Sequence, residues 1–301
     1  MPAVLIAAPE SLSGKTTIAA ALGRRLADGG KRVALSRLAG DANAAADARL
    51  LAGLAFNADR RPEPLEARPR GPGDADVSLV EAPAGDPRSA LESLSARAVV
   101  VVAYADPLPA DIPSFCEALG DACAGVAITR VPVRRLEATR AAAGAIGVRL
   151  LGLIPEDRTL AAPTLGAVAE ALEADSSSLN SASETVIDRP IISSISADPA
   201  QGYFARYGPN AVIVRGDKPD QQLGALNAGA PCLIVTGGLP VLSYVEERAA
   251  EEGIPVLRTR YDTVAAVERL EALYGATPFS GRAKVERIAE LAGELDISSL
   301  T

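Results

Sequence analysis

Near the N-terminus lie five residues, Ser13-Gly14-Lys15-Thr16-Thr17, whose types and spacing suit phosphate binding. They follow a short apolar run and open a segment with helical character, which is the context that a phosphate-binding loop requires. Main-chain N–H groups at the start of a helix converge on one point, where the helix dipole favours an anion. Lys15 can reach terminal phosphates, and Thr16 places a hydroxyl where Mg²⁺ would bind. The motif therefore predicts a phosphate-binding loop.

The front of this loop departs from the strict pattern, in which Gly and four further residues precede Gly-Lys. Here Pro stands at position 9. Since Pro has no N–H and a fixed φ, the front of the loop differs from the standard one. A strand that merely turns into a helix is the alternative. We predict phosphate contacts from seven residues: Ser11, Leu12, Ser13, Gly14, Lys15, Thr16 and Thr17.

Acidic residues near the ends of apolar segments are candidates for holding Mg²⁺. A phosphate-binding loop works with a carboxylate at the end of a neighbouring strand, and Glu81 ends the apolar run of residues 77–81. Asp47, in an Ala-rich helical stretch, is a second candidate, and Asp41 is a third. The alternatives are a strand-end glutamate that faces solvent and aspartates that cap helices. Residue types alone leave this choice open.

Composition limits the classes of protein to consider. The chain has 301 residues, of which 48% are apolar and 3% aromatic, so two domains with Ala, Val, Leu and Ile cores are expected. The net charge of −8 and the pI near 4.9 argue against nucleic acid and anionic membrane surfaces as partners. The sequence contains no His, which excludes a Ser-His-Asp triad and His-bound metals.

The cysteines and the N-terminus bear on the compartment. Cys116, Cys123 and Cys232 are odd in number and lack C-x-x-C spacing, so a zinc site and a disulfide framework are disfavoured. They are interpreted as small apolar core residues in a reducing compartment. The N-terminus lacks a basic segment, and no apolar run reaches about 18 residues. We therefore expect a cytoplasmic protein without a signal peptide or a transmembrane helix.

Apolar strand-like runs alternate with helical patterns along most of the chain. This alternation predicts an α/β fold with a mostly parallel sheet, helices on both faces, and a second, smaller α/β unit. The small polar residues after position 174 favour a linker there. The predicted organisation is a nucleotide-binding domain over residues 1–174, a linker over 175–187, a second domain over 188–275 and a helical tail over 276–301.

Three segments, IAAPESLSGKTTIAAAL, VEAPAG and GVRLLGLIPED, resemble the P-loop group of dethiobiotin synthetase and cobyrinic acid a,c-diamide synthase. The resemblance implies ATP and Mg²⁺ as ligands, with Lys15 on phosphate and Thr16, Asp47 and Glu81 on the metal. It also places the base near Thr129, Pro155 and Glu156. These segments lack the Asn/Thr-Lys-x-Asp pattern of guanine specificity, so adenine is preferred.

The sequence departs from that group in two places. Dethiobiotin synthetases follow the second strand with Lys-Pro, whereas here Arg37 and Leu38 stand there. Arg37 is therefore the second predicted catalytic residue beside Lys15, as an anion binder that does not shuttle protons. Walker-type cytoskeletal ATPases carry an additional lysine where this chain has Glu10, which disfavours that branch.

The second half resembles the DRTGG domain over residues 190–273. The resemblance rests on Gly216-Asp217-Lys218 after one strand and Thr236-Gly237-Gly238 after the next. The order of the two domains resembles the N-terminal half of long bacterial phosphotransacetylases, without the acetyltransferase domain. Related domains imply regulation, adenine-nucleotide sensing and homodimers. From the residues alone, Thr236-Gly237-Gly238 suits either a ligand or a tight turn, and Asp217 suits a helix N-cap.

Three functions follow as hypotheses. The first is an ATP- and Mg²⁺-binding regulator that acts on an enzyme partner. The second is an ATP-dependent ligase that activates a carboxylate, with Arg37, Asp47 and Glu81 around the substrate. The third is a non-catalytic scaffold with a degenerate loop. Whether the chain is an enzyme is left open by the sequence.

Overall fold

The computed structural model describes residues 3–66, 75–175, 177–193 and 210–298, together with residue 300. The chain divides into two compact units. The first combines Met1–Asp157 with Val285–Thr301, and the second comprises Arg158–Lys284.

The first unit is built on a six-stranded parallel sheet with the strand order β2-β3-β1-β4-β5-β6. Its strands are β1 (Ala3–Ala7), β2 (Val33–Arg37), β3 (Val77–Glu81), β4 (Arg97–Ala103), β5 (Cys123–Val131) and β6 (Leu150–Pro155). Its helices before the second unit are α1 (Lys15–Asp28), α2 (Ala44–Gly53), α3 (Arg88–Leu94), α4 (Ile112–Leu119) and α5 (Leu136–Ala145). The predicted fold class is confirmed.

Continuous apolar strands explain why this sheet forms. The central residues of β1 and β4 are almost fully buried, as expected for parallel strands with helices on both faces. Strands β2 and β3 lie on one side of β1, whereas β4, β5 and β6 lie on the other. In open parallel sheets, ligands bind outside the carboxyl ends of strands at such a change of direction. The loop between β1 and α1 lies at this point.

The second unit contains a four-stranded parallel sheet with the order β10-β9-β8-β7. Its strands are β7 (Ile191–Ile192), β8 (Val212–Arg215), β9 (Leu233–Thr236) and β10 (Val256–Arg258). Its helices are α6 (Arg158–Ala161), α7 (Leu165–Ala171), α8 (Pro219–Asn227), α9 (Ser243–Glu251) and α10 (Thr263–Glu271). A helix predicted over residues 200–207 lies outside the described residues.

The compact units divide the chain elsewhere than at the predicted boundary after residue 174. Helices α6 and α7 belong to the second unit, because Leu165 and Val168 pack in its core. The segment predicted as a linker over residues 175–187 is not an unpacked connection, since Leu179 and Ile187 are buried in the same core. The polar composition of this segment gave no indication that these two apolar residues would be buried.

The C-terminal segment returns to the first unit. Helix α11 (Arg282–Leu291) is followed by a short turn, after which the Asp296 N–H donates to the Leu151 carbonyl at 2.7 Å. Leu295 is buried and lies directly over Gly152 in β6. The Arg25 guanidinium donates to the carbonyls of Ala292 and Leu295. The predicted helical tail is therefore part of the packed structure of this unit.

We expect Leu295→Ala to lower the free energy of unfolding by about 2–4 kcal/mol, because it removes a buried side chain from a packed site. Urea titration followed by circular dichroism measures this change. Val133→Ala is the matched control, since Val133 is 65% exposed. A loss no larger than that of the control would show that the tail is not anchored by Leu295.

Candidate functional site

The loop after β1 leaves the N-terminus of α1 without a side-chain cap. Gly14 is the N-cap residue, and the first turn contains no acidic side chain. The Ser13 hydroxyl donates to the Glu10 carbonyl at 2.8 Å and so folds the loop instead of capping the helix. The first N–H groups of a helix have no partner within it. This end of α1 is therefore prepared for an anion.

Gly14 has to be glycine for two reasons. Its φ of 91° lies in the left-handed region, and a Cβ there would come within 3.2 Å of the Thr129 Cγ2. Thr129 holds the backbone of the loop in place, because its hydroxyl donates to the Ser13 carbonyl at 2.8 Å. The motif thus holds its shape through a side chain more than 100 residues away in sequence.

Lys15 is 6% exposed, although it carries an ammonium group. Burial lowers its pKa, whereas the nearby Glu81 carboxylate acts in the opposite direction. A buried charge needs a partner of opposite sign. Lys15 is thus held in a site with little water, where its attraction to an anionic ligand is strong.

Glu81 ends β3, where the Thr16 hydroxyl donates to its Oε1 at 3.0 Å. The other oxygen, Oε2, is buried and has no hydrogen-bond partner among the described residues. Burial raises the pKa of Glu81 to about 7, and the charge of Asp47 adds to the increase. The structure therefore brings Thr16 and Glu81, which the sequence offered as candidate metal ligands, into direct contact.

Arg37 is almost fully buried at the end of β2 and lies among acidic side chains. Its guanidinium approaches Asp41 at 2.5 Å, Asp47 at 3.4 Å and Glu81 at 3.6 Å. It also donates to the Leu38 carbonyl at 2.6 Å. Each guanidinium nitrogen thus contacts a protein oxygen. The sequence predicted an anion binder here but did not reveal these partners, although the i, i+4 spacing of Arg37 and Asp41 was a signal.

Asp47 lies in the first turn of α2, where it is 7% exposed. Burial raises its pKa, whereas Arg37 lowers it. Asp47 and Glu81 both lie beside the Arg37 guanidinium, at 3.4 and 3.6 Å. Asp41, the third candidate, also pairs with Arg37, but its side chain is more exposed.

The donor set suits Mg²⁺. Magnesium prefers oxygen ligands and is commonly bound through one or two carboxylates, substrate phosphates and water. The free Oε2 of Glu81, the Thr16 hydroxyl and the Asp47 carboxylate supply such oxygens. Within the described ranges no group of three or more acidic or Cys side chains could hold an ion by itself. A metal here would therefore need phosphate oxygens as further ligands.

The remaining residues predicted to contact the nucleotide lie either in the phosphate loop or at the ends of β5 and β6. Ser11 and Leu12 are exposed at the top of the loop, and Thr17 lies half-buried in the first turn of α1. Pro155 ends β6 and Glu156 follows it, with β4 and β5 between that strand and β1. The Glu156 N–H donates to the Val131 carbonyl at 2.8 Å. The structure therefore brings Thr129, but not Pro155 or Glu156, into contact with the loop.

Thr129 gains its position from an irregularity at the end of β5. The pairing with β6 shifts in register between Ile128 and Val131, and Arg130 has a φ of 58°. An irregularity of this kind re-aims side chains at the end of a strand. The resemblance suggested Thr129 for the base, but its hydroxyl and methyl groups contact the phosphate loop.

We expect Thr129→Val to lower the free energy of unfolding by about 1–2 kcal/mol, because the Ser13 carbonyl loses its buried donor. Nucleotide affinity, measured by calorimetry, should fall with it. Thr129→Ser keeps the hydroxyl and should retain most of both properties. Equal behaviour of the two variants would mean that the hydroxyl does not hold the loop.

A cavity of about 380 Å³ lies beside the front of the loop. Pro9, the loop after β3 and the apolar face of α4 around Phe115 line it. The Gly85 N–H donates to the Ala8 carbonyl at 3.0 Å and joins the two loops there. Pro9, the residue that departs from the strict motif, thus forms part of the wall of this cavity.

In the second unit, the loops after β8, β9 and β10 lie at one edge of the sheet. Gly237 and Gly238 have φ values of 90° and 69°, and their N–H groups donate to the carbonyls of Tyr261 and Thr259. The glycines thus make a tight turn that joins neighbouring loops. The expected N-cap role of Asp217 is wrong, because Lys218 is the N-cap residue and Asp217 pairs with Arg215.

A parallel sheet that delivers a lysine-bearing loop and a carboxylate to one edge defines the class of P-loop NTPase folds. The chain belongs to the CobQ/CobB/MinD/ParA nucleotide binding domain family, whose model matches residues 4–200. The DRTGG domain model matches residues 167–273, which confirms the resemblance of the second half to a DRTGG domain. The family model spans several branches, so the resemblances to dethiobiotin synthetases and phosphotransacetylases stay predictions.

The solved structures that match this chain include two of the MinD cell division protein from Aquifex aeolicus. The MinC:MinD complex is 19% identical, with a TM-score of 0.41, and MinD alone is 18% identical, with a TM-score of 0.38; each match covers 53% of this chain and 84% of that one. The CBS and DRTGG domains of Clostridium perfringens pyrophosphatase, complexed with diadenosine tetraphosphate, are 16% identical. That match has a TM-score of 0.34 and covers 48% of this chain and 60% of the other.

None of the helices in the described ranges has the length and the apolar composition that a bilayer crossing requires.

Proposed function

We propose that this chain is an ATP- and Mg²⁺-binding regulator, in which the nucleotide occupies the N-terminal domain and the DRTGG domain transmits the bound state. The observation that carries the proposal is the uncapped N-terminus of α1 beside buried Lys15 and the Thr16–Glu81 contact. These groups lie together at the ligand-binding edge of the sheet. They offer main-chain donors, one ammonium group and oxygen ligands in one place.

The phosphates of ATP would lie against the N–H groups of the loop and the Lys15 ammonium group. Thr16, Asp47 and Glu81 would hold Mg²⁺, directly or through water. Mg²⁺, when bound, neutralises charge on the terminal phosphates and fixes their orientation. Arg37 keeps three carboxylates close together, since without it Asp41, Asp47 and Glu81 would repel one another.

The contacts of Arg37 favour the regulator over the carboxylate-activating ligase. A ligase would use this arginine to hold an anionic substrate, but here each guanidinium nitrogen already contacts a protein oxygen. Its side chain is 1% exposed. Arg37 is therefore proposed as a residue that positions the metal ligands.

The DRTGG domain is proposed as the regulatory half, which forms a homodimer or senses an adenine nucleotide and acts on an enzyme partner in the cytoplasm. Exposed apolar residues at the edge of its sheet support this role. Leu239, Leu242 and Tyr244 follow β9 and are about half exposed. Exposed apolar side chains grouped in one stretch suit contact with another protein.

Thermal unfolding with and without ATP and Mg²⁺ tests the proposal. Ligand at about 100 times its Kd should add about 2.7 kcal/mol to the free energy of unfolding. For a chain of this size the midpoint should rise by about 5–10 °C. Adenosine, which lacks phosphates, is the control. If ATP with Mg²⁺ and GTP with Mg²⁺ both leave the midpoint unchanged, the scaffold hypothesis replaces this one.

A further inference from the structure

Arg37 makes contacts of two different lengths with the groups around it. Its guanidinium lies 2.5 Å from the Asp41 carboxylate and 2.6 Å from the Leu38 carbonyl. The candidate metal ligands Asp47 and Glu81 lie farther away, at 3.4 and 3.6 Å. Good hydrogen bonds between a guanidinium and a carboxylate are about 2.7–2.9 Å long. Arg37 is therefore bound firmly to the loop after β2 and only loosely paired with the metal ligands.

The Asp41 carboxylate is itself held by the backbone that leads into α2. Its Oδ1 accepts the Asn43 N–H at 3.2 Å, and its Oδ2 accepts the Arg37 guanidinium. The Asp41 carbonyl accepts the Ala44 N–H at 3.3 Å. Helix α2 begins at Ala44 and carries Asp47 in its first turn. The group that anchors Arg37 and one candidate metal ligand thus belong to one short segment of the chain.

Burial limits where the charge of Arg37 can go. The side chain is 1% exposed, and a buried charge is costly unless a group of opposite sign accompanies it. A divalent cation on the oxygens of Asp47 and Glu81 would repel a guanidinium at the same oxygens, because like charges that share a site disfavour each other. Asp41 and the Leu38 carbonyl remain as partners in that state. The side chain can then keep a counter-charge without reaching solvent.

We propose that Arg37 is a placeholder cation for the metal site and that Asp41 is the positioning residue that retains it when Mg²⁺ binds. Without metal, the guanidinium neutralises part of the charge of Asp47 and Glu81. With metal, it turns toward Asp41. The placeholder role rests on the proposed function, because it concerns the ATP- and Mg²⁺-binding site. Asp41, which the sequence offered as a third metal candidate, thus binds Arg37 and not the metal.

The side-chain Nε–H signal of Arg37 in the ¹⁵N-labelled chain reports this turn directly, and Arg37→Lys assigns the signal by removing it. The signal should shift when Mg²⁺ is added to the ATP-bound chain, because the Nε–H leaves Asp47. The Nε–H of Arg24 is the matched control, since it pairs with Asp28 at the same i, i+4 spacing on the exposed surface of α1. The control signal should stay in place. An Arg37 signal that does not move would overturn the proposal.

Calorimetry with ATP in Mg²⁺ and in EDTA tests the role of Asp41. In Asp41→Asn the ratio of the two affinities should fall about tenfold, because the guanidinium loses its alternative carboxylate and stays on the metal ligands. Asp28→Asn, which removes the partner of Arg24, should leave the ratio unchanged. A full ratio in Asp41→Asn would overturn this inference alone. Equal affinities in Mg²⁺ and EDTA for the unchanged protein would overturn the proposed metal site as well.

A second background separates positioning from direct metal binding. The single ammonium group of Arg37→Lys cannot contact the same set of oxygens. In that background, adding Asp41→Asn should change the affinity ratio much less than it does in the unchanged protein, because residues that act through each other are not additive. Equal losses in both backgrounds would mean that Asp41 acts on the metal itself, and the positioning role would fail. Circular dichroism verifies that each variant is folded.

Discussion

Lys15→Ala is expected to weaken the binding of ATP with Mg²⁺ by about 100-fold, which corresponds to about 3 kcal/mol. Lys15 is 6% exposed and opens the helix whose N-terminus lacks a side-chain cap. Charge-assisted hydrogen bonds to phosphate are strong in such a site, because little water competes for them. Isothermal titration calorimetry measures the loss directly.

Lys31→Ala is the matched control for this variant. Lys31 is exposed after the end of α1, so its removal changes the net charge of the chain equally without touching the loop. Its affinity for ATP should match that of the unchanged protein within about twofold, since exposed charges have weak effects. If both variants lose affinity equally, general charge attraction rather than the loop holds the nucleotide.

Glu81→Gln should separate the metal from the nucleotide. The substitution keeps the size of the side chain but removes the charge next to Thr16. In the unchanged protein, Mg²⁺ should raise the affinity for ATP, whereas in the variant the affinity should be similar with Mg²⁺ and with EDTA. Calorimetry under the two conditions gives the comparison. Glu92→Gln, on the exposed face of α3, should retain the full effect of Mg²⁺.

The same variant should alter the pH dependence of stability in the absence of metal. The pKa of Glu81 is raised from 4.5 to about 7 in the folded state, so between these values the folded chain binds more protons than the unfolded one. Stability from this group is present below pH 4.5 and is lost as pH rises through 7. The loss amounts to about 3 kcal/mol, and Glu81→Gln should lack it. Urea titrations at pH 5 and pH 8 measure this loss of stability. An equal loss in the unchanged protein and in Glu81→Gln would contradict the raised pKa of Glu81.

The residues that sequence analysis placed best are those whose positions are set locally. Lys15 and Thr16 lie in a motif whose geometry is set by the few residues around it, and Glu81 ends a strand that is buried throughout. Helix propensity and strand burial therefore suffice to place them. The contact between Thr16 and Glu81 spans 65 residues, but it follows once two parallel strands share an edge.

What the sequence did not reveal depends on side chains that meet through the fold. Thr129 supports the loop because β5 changes register at its end, and no local pattern marks that irregularity. The pairing of Arg37 with Asp47 requires β2 and α2 to pack at a particular angle.

Domain limits also depend on single side chains that composition does not reveal. Polar composition after residue 174 favoured a linker, but two apolar residues, Leu179 and Ile187, are enough to anchor that segment in a core. The tail was predicted as a helix from its periodicity, yet its place in the first unit depends on Leu295, which lies beyond the helix. Composition averages over a segment, whereas packing depends on single side chains.

The central claim is that the main-chain N–H groups of residues 11–17 hold a polyphosphate. Amide chemical shifts of the ¹⁵N-labelled chain, recorded while ATP and Mg²⁺ are added, test it residue by residue. We predict that the largest changes occur at Gly14, Lys15, Thr16 and Thr17, and that adenosine produces none of them. Saturable ATP binding that leaves these four amides unchanged, with its shifts elsewhere in the chain, would contradict the claim.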